Sequence, residues 1–218
     1  MLLRRLIGMP DADPALDASL HLGTLVALLW FFRRDIVELP RRPALLRALL
    51  IATVVTAPLG FFLRQRVPQS LGWAGIGWLI TALLLFATRA AKPTKEAPDA
   101  GDAVRVGIAQ ALAVAPGISR LGSTLGVSLL RGVEPRAAAR FAFLLAVPPI
   151  AGQALLALRH GVAGPLLPFL VGAMVACVVG LCVVGPAVRW IERGRVHRFS
   201  YYLAPLGAGV TLWTIFSR

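Results

Sequence analysis

The sequence predicts an all-α, multispanning membrane protein with about six transmembrane helices and one re-entrant helix pair. Hydrophobic residues make up 57% of the 218-residue chain, and only 15% of its residues are charged. The mean hydropathy of +0.75 is typical of membrane proteins and not of soluble domains. Apolar runs alternate with short basic loops along the whole chain. We therefore interpret 1–218 as a single integral membrane domain.

The predicted spans follow from the length of the apolar runs, because a helix needs about 20 mostly apolar residues to cross a bilayer. In chain order they are Ala18 to Phe32, Ala44 to Leu63, Leu71 to Thr88, Ala137 to Leu158, Pro165 to Val188 and Tyr201 to Phe216. The fourth contains Pro148-Pro149, which we expect to kink it. The fifth contains Cys177 and Cys182, which we interpret as buried thiols without a disulfide or a metal. The one clearly polar linker is 91–102.

The segment 103–130 is apolar on both flanks and broken in the middle by PGISRLGST at 116–124. Its proline and glycine can end one helix, and Ser119 can cap the next. Irregular backbone at membrane depth survives only where protein or a water-filled cavity satisfies its polar groups. A helix start, several hydroxyls and the guanidinium of Arg120 together indicate an anion site, and phosphate suits a planar guanidinium. The alternative is a plain loop between two helices.

The basic residues indicate a membrane topology and not a nucleic-acid surface, although the formal net charge is +13. Sixteen of the 23 lysines and arginines lie in the segments 33–47, 89–105, 131–140 and 189–198, and six lie in the other connections or near the termini. This bias appears only if 103–130 returns to the side from which it entered. The positive-inside rule then predicts that the richer side is cytoplasmic.

With these segments in view, the chain resembles the undecaprenyl-diphosphate phosphatases, also called bacitracin-resistance proteins. The family motif P-G-x-S-R-S-G-x-T corresponds to PGISRLGST. The flanking sequences GIAQALAVAPGISR and EPRAAARFAFLLAVPPIAG agree with the family as well. So do LDASLHLGTLVALLWFFRRDI near the start and RFSYYLAPLG near the end. The resemblance therefore extends over nearly the whole chain.

The resemblance implies a multispanning enzyme of the cell inner membrane. Its activity would hydrolyse undecaprenyl diphosphate to undecaprenyl phosphate and inorganic phosphate, recycling the lipid carrier of cell-wall synthesis and conferring bacitracin resistance. It also implies two inverted repeats, each a re-entrant helix pair followed by three spans. On this basis 1–90 is the remainder of the first repeat, and 103–218 is the second repeat with its re-entrant motif at 110–130. A divalent cation, Mg²⁺ or Ca²⁺, is the implied cofactor, and assembly into a homo-oligomer is left open.

The resemblance assigns roles to individual residues. Arg120 would bind the diphosphate, and Ser119 would donate a hydrogen bond to it or attack it, so both are predicted catalytic residues. The predicted substrate-binding residues are Gln110, Gly117, Gly122, Ser123, Thr124 and His21. Each has a structural alternative: an arginine reaching for headgroups, a capping serine, small polar residues in helix packing, or a histidine hydrogen-bonded within a bundle.

The chain also departs from the family. The family's first motif carries two glutamates four residues apart and a Ser-Ser-Thr-Gly-His run, and this sequence has no counterpart, so the metal ligands are unknown. Leu121 replaces a family serine, Leu203 replaces an arginine, and His21 replaces a residue that is usually glutamine.

Three hypotheses remain open: a phosphatase, a binder or carrier of a lipid phosphate, and a phosphatase whose reading frame starts further upstream. We favour the third as the explanation of the missing motif. It predicts about 30 to 50 preceding residues, enough for one helix pair at 1.5 Å per residue. In that sense the first re-entrant pair is truncated, and we expect little turnover from the 218-residue form.

Overall fold

The computed structural model describes residues 14–68, 70–159 and 166–216, and within these ranges every named element is helical. The α-helices are α1 (Pro14–Phe31), α2 (Arg33–Glu38), α3 (Pro43–Arg64), α4 (Leu71–Ala87), α5 (Ala100–Leu112), α6 (Arg120–Leu130), α7 (Pro135–Arg159), α8 (Leu166–Glu192) and α9 (Phe199–Phe216). Short 3-10 helices occupy Leu39–Arg41, Thr88–Ala90 and Val196–Arg198. The prediction of an all-α fold is confirmed.

Several helices are long and apolar enough to cross a membrane. The four that qualify within the described residues are Pro43–Arg64, Leu71–Ala90, Pro135–Leu156 and Leu166–Glu192. A fifth span would combine Leu16–Phe31 with Arg33–Arg41, which bend by 63° where they meet. The multispanning prediction is thus confirmed, with four or five qualifying spans in place of six. The expected sixth is the 18-residue helix α9, whose tyrosines, threonines and glycines lower its hydropathy.

The chain forms two compact units. The first is Met1–Leu39 with Leu144–Ala187, of which 14–39, 144–159 and 166–187 are described. The second is Pro40–Phe143 with Val188–Arg218, of which 40–68, 70–143 and 188–216 are described. These units do not follow the proposed division of the chain at 91–102, so the repeat boundaries stay a prediction.

In the first unit, α1 packs against α8 through small residues. A Cβ placed on Gly23 would collide with the backbone of Ala173, and one on Gly180 would lie 2.7 Å from the Cβ of Ala27. Small residues of this kind let membrane helices approach closely. His21 lies on α1 in this unit and is half-buried.

The two cysteines of α8 are free thiols in the structure. Cys177 is half-buried, but Cys182 is exposed, so the prediction that both are buried was wrong. The reason is that α8 leaves apolar side chains such as Val178, Val179 and Val183 outside the packed interior. Helix α8 is the most apolar qualifying span, and such a surface is suited to lipid contact.

In the second unit, α4 is the central helix because it packs closely on two sides. On one side a Cβ at Gly72 would lie 3.4 Å from the hydroxyl of Thr214, and one at Gly207 of α9 would lie 3.0 Å from Leu79. Since position 72 faces 214 and 79 faces 207, α4 and α9 are antiparallel. On the other side, Gly77 faces the turn between α5 and α6.

Helix α3 covers α5 and runs in the same direction. The Thr56 hydroxyl donates to its own helix at Ala52 O (2.7 Å) and also lies 3.0 Å from the carbonyl oxygen of Gly107. A Cβ on Gly107 would lie 2.8 Å from Ala52 O, and one on Gly60 would lie 3.9 Å from the Cα of Ala111. Because the chain positions of both helices increase together along this contact, the beginnings of α3 and α5 lie at the same end of the unit.

The basic segments of the second unit lie at the end where α3 and α5 begin. The end of α6 lies there too, because Arg131 forms an ion pair with Asp102, and at this end Thr88–Ala90 contacts Val196–Arg198. An ion pair of 3.5 Å also links Arg136 with Glu192. Helix α9 ends at the opposite end, because it is antiparallel to α4. The arrangement supports the predicted topology, in which the basic segments of this unit share one side.

Candidate active site

Helices α5 and α6 form the helical hairpin that the broken segment predicts. The Nε of Arg131, which follows α6, donates to Asp102 Oδ1 near the start of α5 at 3.0 Å, so the two helices are antiparallel. They contain 13 and 11 residues. At 1.5 Å per residue their lengths are about 20 and about 17 Å, well short of the hydrocarbon core of about 30 Å. The pair is therefore too short to span a bilayer and has the form of a re-entrant pair.

The turn at the tip of the hairpin lies directly on α4. Gly117 has a φ of +85°, a conformation that favours glycine. A Cβ on Gly117 would collide with the carbonyl of Ala74, and one on Gly77 of α4 would collide with Pro116 O. Gly117 is thus required both by its backbone conformation and by the close approach of α4. This is a structural role, and the role of Gly117 in substrate binding stays a prediction.

Ser119 caps the start of α6, as its type and position predict. Its Oγ accepts a hydrogen bond from the backbone N–H of Gly122 at 3.0 Å. Its own backbone N–H donates to Thr81 Oγ1 of α4 at 3.1 Å. The first four N–H groups of a helix have no acceptor within the helix. These two bonds satisfy the N–H groups of Ser119 and Gly122, and among the described residues no acceptor is found for the N–H groups of Arg120 and Leu121.

The capping bond also orients the Ser119 hydroxyl. Because Oγ accepts the Gly122 N–H, its own hydrogen remains available for donation to an anion. A Cβ on Gly122 would lie 3.0 Å from Ser119 Oγ and 3.1 Å from the methyl group of Thr81. Glycine at this position therefore lets the cap close tightly against α4.

Arg120 is the first residue of α6 and is half-buried. Its neighbour Ser119 is bonded to Thr81, and Thr81 is the eleventh of the 17 residues of α4, counting from Leu71. Ten residues at 1.5 Å place this level about 15 Å along α4, near the middle of a hydrocarbon core of about 30 Å. An arginine at such depth favours a ligand-binding role over a side chain that merely reaches for headgroups.

Ser123 and Thr124 lie behind the tip and are buried. The Thr124 hydroxyl is within hydrogen-bond distance of the carbonyl oxygens of Arg120 (3.0 Å) and Leu121 (3.2 Å) in its own helix. In this structure both side chains belong to the packing of α6. Their role as substrate contacts stays a prediction.

Gln110 lies on α5 and is 2% exposed. Within the described residues, its Oε1 is the buried side-chain oxygen without a hydrogen-bond partner. Leaving a buried acceptor unsatisfied costs about 1–3 kcal/mol, so its retention needs an explanation such as a bound ligand or water. This observation supports the predicted role of Gln110 in binding. His21 belongs to the first unit and not to the unit that holds the hairpin, so its role stays a prediction.

Sequence reasoning missed a charged cluster at the base of the hairpin. Asp102 is fully buried and lies 2.7 Å from Lys95 Nζ, in addition to its bond with Arg131. Lys95 also pairs with Asp99 at 2.6 Å. The pKa of Asp99 is lowered to about 2, chiefly by its hydrogen bond with Lys95, and the pKa of Lys95 is raised, chiefly by Asp102.

The same cluster orders the polar linker. The backbone N–H groups of Thr94 and Lys95 donate to Gly132 O at 2.8 and 2.9 Å, and Glu134 N–H donates to Lys95 O at 2.8 Å. The linker is therefore fastened to the end of α6. A buried acid between two cations could have been suspected from Asp102 at the start of an apolar helix, but its partners could not.

The donors at the tip suit an anion more than a cation. Backbone N–H groups, a hydroxyl and a guanidinium bind oxyanions, whereas Mg²⁺ and Ca²⁺ need oxygen ligands such as carboxylates. The described residues contain no group of three or more His, Cys, Asp or Glu side chains that could hold a metal ion. The residues at the tip thus do not fit the divalent cation that the resemblance implies, and the cofactor stays a prediction.

The matches to known proteins include the same segment. Residues 1–209 match the family described as Bacitracin resistance protein BacA. The chain belongs to the BacA family. Three relatives named undecaprenyl-diphosphatase come from Carboxydothermus hydrogenoformans, Korarchaeum cryptofilum and Geobacter metallireducens, and are 36%, 34% and 33% identical. The matches cover 96%, 96% and 98% of this chain and 86%, 88% and 88% of the relatives.

BacA membership confirms the resemblance inferred from the motif and its flanks. The part of this BacA-family chain that carries the resemblance most specifically, PGISRLGST, is the tip of the hairpin. Motif and geometry therefore identify the same place as the candidate active site.

Proposed function

We propose that this BacA-family protein is a membrane-embedded phosphatase that hydrolyses undecaprenyl diphosphate to undecaprenyl phosphate and inorganic phosphate. The observation that carries the proposal is the start of α6, where Arg120 and the N–H groups of Arg120 and Leu121 lie at mid-depth in an apolar unit. These groups are fixed before any ligand arrives, because Ser119 and Thr81 already hold the turn. Preorganised donors of this kind stabilise the negative charge that develops on a phosphoryl group during its transfer.

The reaction transfers the terminal phosphoryl group to water. The oxygen of water forms a bond to the terminal phosphorus, the bond from that phosphorus to the bridging oxygen breaks, and undecaprenyl phosphate leaves. Arg120 binds the diphosphate oxygens through its planar fork, and the Ser119 hydroxyl donates to one of them. Catalysis in phosphoryl transfer rests mainly on positioning and charge stabilisation, which these groups supply.

The setting of the reaction is part of the same proposal. The protein lies in the cell inner membrane with its basic segments on the cytoplasmic side, and the polyprenyl chain of the substrate stays in the hydrocarbon. Hydrolysis returns the lipid carrier to cell-wall synthesis and gives resistance to bacitracin. A divalent cation, Mg²⁺ or Ca²⁺, belongs to this proposal through the family resemblance alone, and no step described above runs through it.

The test is phosphate release from undecaprenyl diphosphate in detergent, with lipid binding measured in parallel. We expect phosphate release by the protein and its loss in Arg120→Ala. Lipid binding without phosphate release would overturn the proposal in favour of a lipid-phosphate carrier.

A further inference from the structure

Thr81 of α4 is bonded directly to the backbone of the hairpin tip. The side chain is 1% exposed, and its Oγ1 accepts the Ser119 N–H at 3.1 Å. The same hydroxyl has two carbonyl oxygens within reach of its single proton, Gly77 O at 2.9 Å and Gly117 O at 3.4 Å. Thr81 lies 38 positions before Ser119 in the sequence and outside the PGISRLGST motif.

We propose that Thr81 is a positioning residue that sets the geometry of the phosphate-binding turn. This inference rests on the proposed function, because it concerns the same site. Thr81 directs the Ser119 N–H towards α4, so that this group neither points at the ligand nor lies unsatisfied. Ser119 is thereby held in the extended conformation (φ −72°, ψ 118°) in which its Oγ caps Gly122.

The consequence for the ligand is a defined set of donors. With the Ser119 and Gly122 N–H groups satisfied, the anion meets the N–H groups of Arg120 and Leu121 and the hydroxyl hydrogen of Ser119. Without the Thr81 oxygen, the Ser119 N–H loses its acceptor in a buried place, and the first turn of α6 has to shift to satisfy it. A small displacement of preorganised donors lowers the rate of the catalysed reaction substantially.

The two parts of the Thr81 side chain can be separated by substitution. Its methyl group lies 3.1 Å from the place that a Cβ on Gly122 would occupy, so it contributes packing at the cap. Thr81→Val keeps the branched shape but removes the hydroxyl, and Thr81→Ser keeps the hydroxyl but removes the methyl group. A positioning role through the hydroxyl predicts that serine rescues function and valine does not.

The control is Thr24→Val in α1. The Thr24 hydroxyl donates to Leu20 O at 2.8 Å, which is the same bond to the residue four positions earlier that Thr81 makes to Gly77. Thr24 belongs to the first unit and not to the unit that holds the hairpin, so its substitution removes a hydroxyl with the same helical bond from another part of the chain.

Two readouts are needed. The first is kcat and KM for phosphate release from undecaprenyl diphosphate. We expect Thr81→Val to lower kcat/KM about tenfold, as the loss of one hydrogen bond implies. Thr81→Ser and Thr24→Val should keep kcat/KM within about twofold of the wild-type value. The second is hydrogen exchange of the Ser119 amide, which does not depend on activity. It should accelerate in Thr81→Val and remain slow in Thr81→Ser.

The outcomes separate the two proposals. If the wild-type protein releases no phosphate, the proposed function fails, while the exchange of the Ser119 amide still tests the role of Thr81. If Thr81→Ser loses as much activity and protection as Thr81→Val, the side chain acts through packing and the inference is overturned. Unchanged exchange and turnover in Thr81→Val would overturn it as well.

Discussion

Replacing Arg120 with lysine keeps the positive charge and removes the planar fork that can bind two phosphate oxygens at once. The structure places this side chain at the first position of α6, where it is half-buried, next to the backbone N–H groups of the first helical turn. Lysine would retain the charge and the helix start, so the loss is that of one hydrogen bond to a charged group. Such a bond is worth about 1.5–3 kcal/mol, and the expected loss in kcat/KM is therefore about 10- to 150-fold.

The assay is phosphate release from undecaprenyl diphosphate in detergent, with inhibition by inorganic pyrophosphate measured beside it. In its proposed role Arg120 contacts the diphosphate itself, so we expect the pyrophosphate inhibition constant to rise together with the loss in turnover. Arg105→Lys is the matched control, since Arg105 is an exposed arginine of the same hairpin. Arg131 is less suitable, because its Nε bonds to the buried Asp102.

The reasoning would be refuted by equal behaviour of the two variants. If Arg120→Lys and Arg105→Lys had the same kcat/KM and the same pyrophosphate inhibition, Arg120 would not bind the diphosphate in two places. The anion site would then have to lie elsewhere in the protein.

Three further predictions follow from other parts of the structure. Asp102→Asn should lower the midpoint of thermal unfolding in detergent, because it removes the charge that Lys95 and Arg131 share, at a cost of about 1–3 kcal/mol; an unchanged midpoint would contradict this role. Gln110→Met should raise that midpoint but reduce turnover, because it removes an unsatisfied buried oxygen; a destabilised variant with full activity would contradict the binding role. In a cysteine-free background, Glu96→Cys should react with an impermeant maleimide only after cells are permeabilised, and labelling of intact cells would reverse the orientation.

The hairpin was predictable because its signals are local. Proline and glycine interrupt an apolar run, Ser119 has the type of residue that caps a helix, and the distribution of arginine requires the chain to return to its starting side. The structure has the helix break, the Ser119 cap and the antiparallel return of the chain in the predicted places. The span count was less accurate, because α9 carries enough polar and small residues to fall below the hydropathy of the other spans.

The contacts that fix the site could not be read from the sequence because they are long-range. Thr81 looks like an ordinary threonine in an apolar span until α4 is placed against the tip. In the sequence Asp102 is the last residue of a polar linker. Only the folded hairpin places it beside Arg131, which lies 29 positions later in the chain. The local pattern places Asp102 at the start of a helix and Thr81 within an apolar span, but it does not reveal the partners of either residue.

The hydrogen bonds of the hairpin indicate what kind of ligand belongs there. A polar turn at mid-depth must have its backbone groups satisfied, and α4 meets part of this need with the Thr81 hydroxyl and a glycine that admits the turn. The groups that remain are of two kinds. The N–H groups of Arg120 and Leu121, with the Arg120 guanidinium, are donors and call for an anion.

Gln110 Oε1 is an acceptor and cannot bind a bare phosphate oxygen. It needs a hydrogen-bond donor, such as a water molecule or the hydroxyl of a protonated phosphate. Among the described residues of this unit, the uncommitted donors at the tip and the buried Gln110 acceptor are matched to a phosphate group together with water. Those are the two reactants of the proposed hydrolysis.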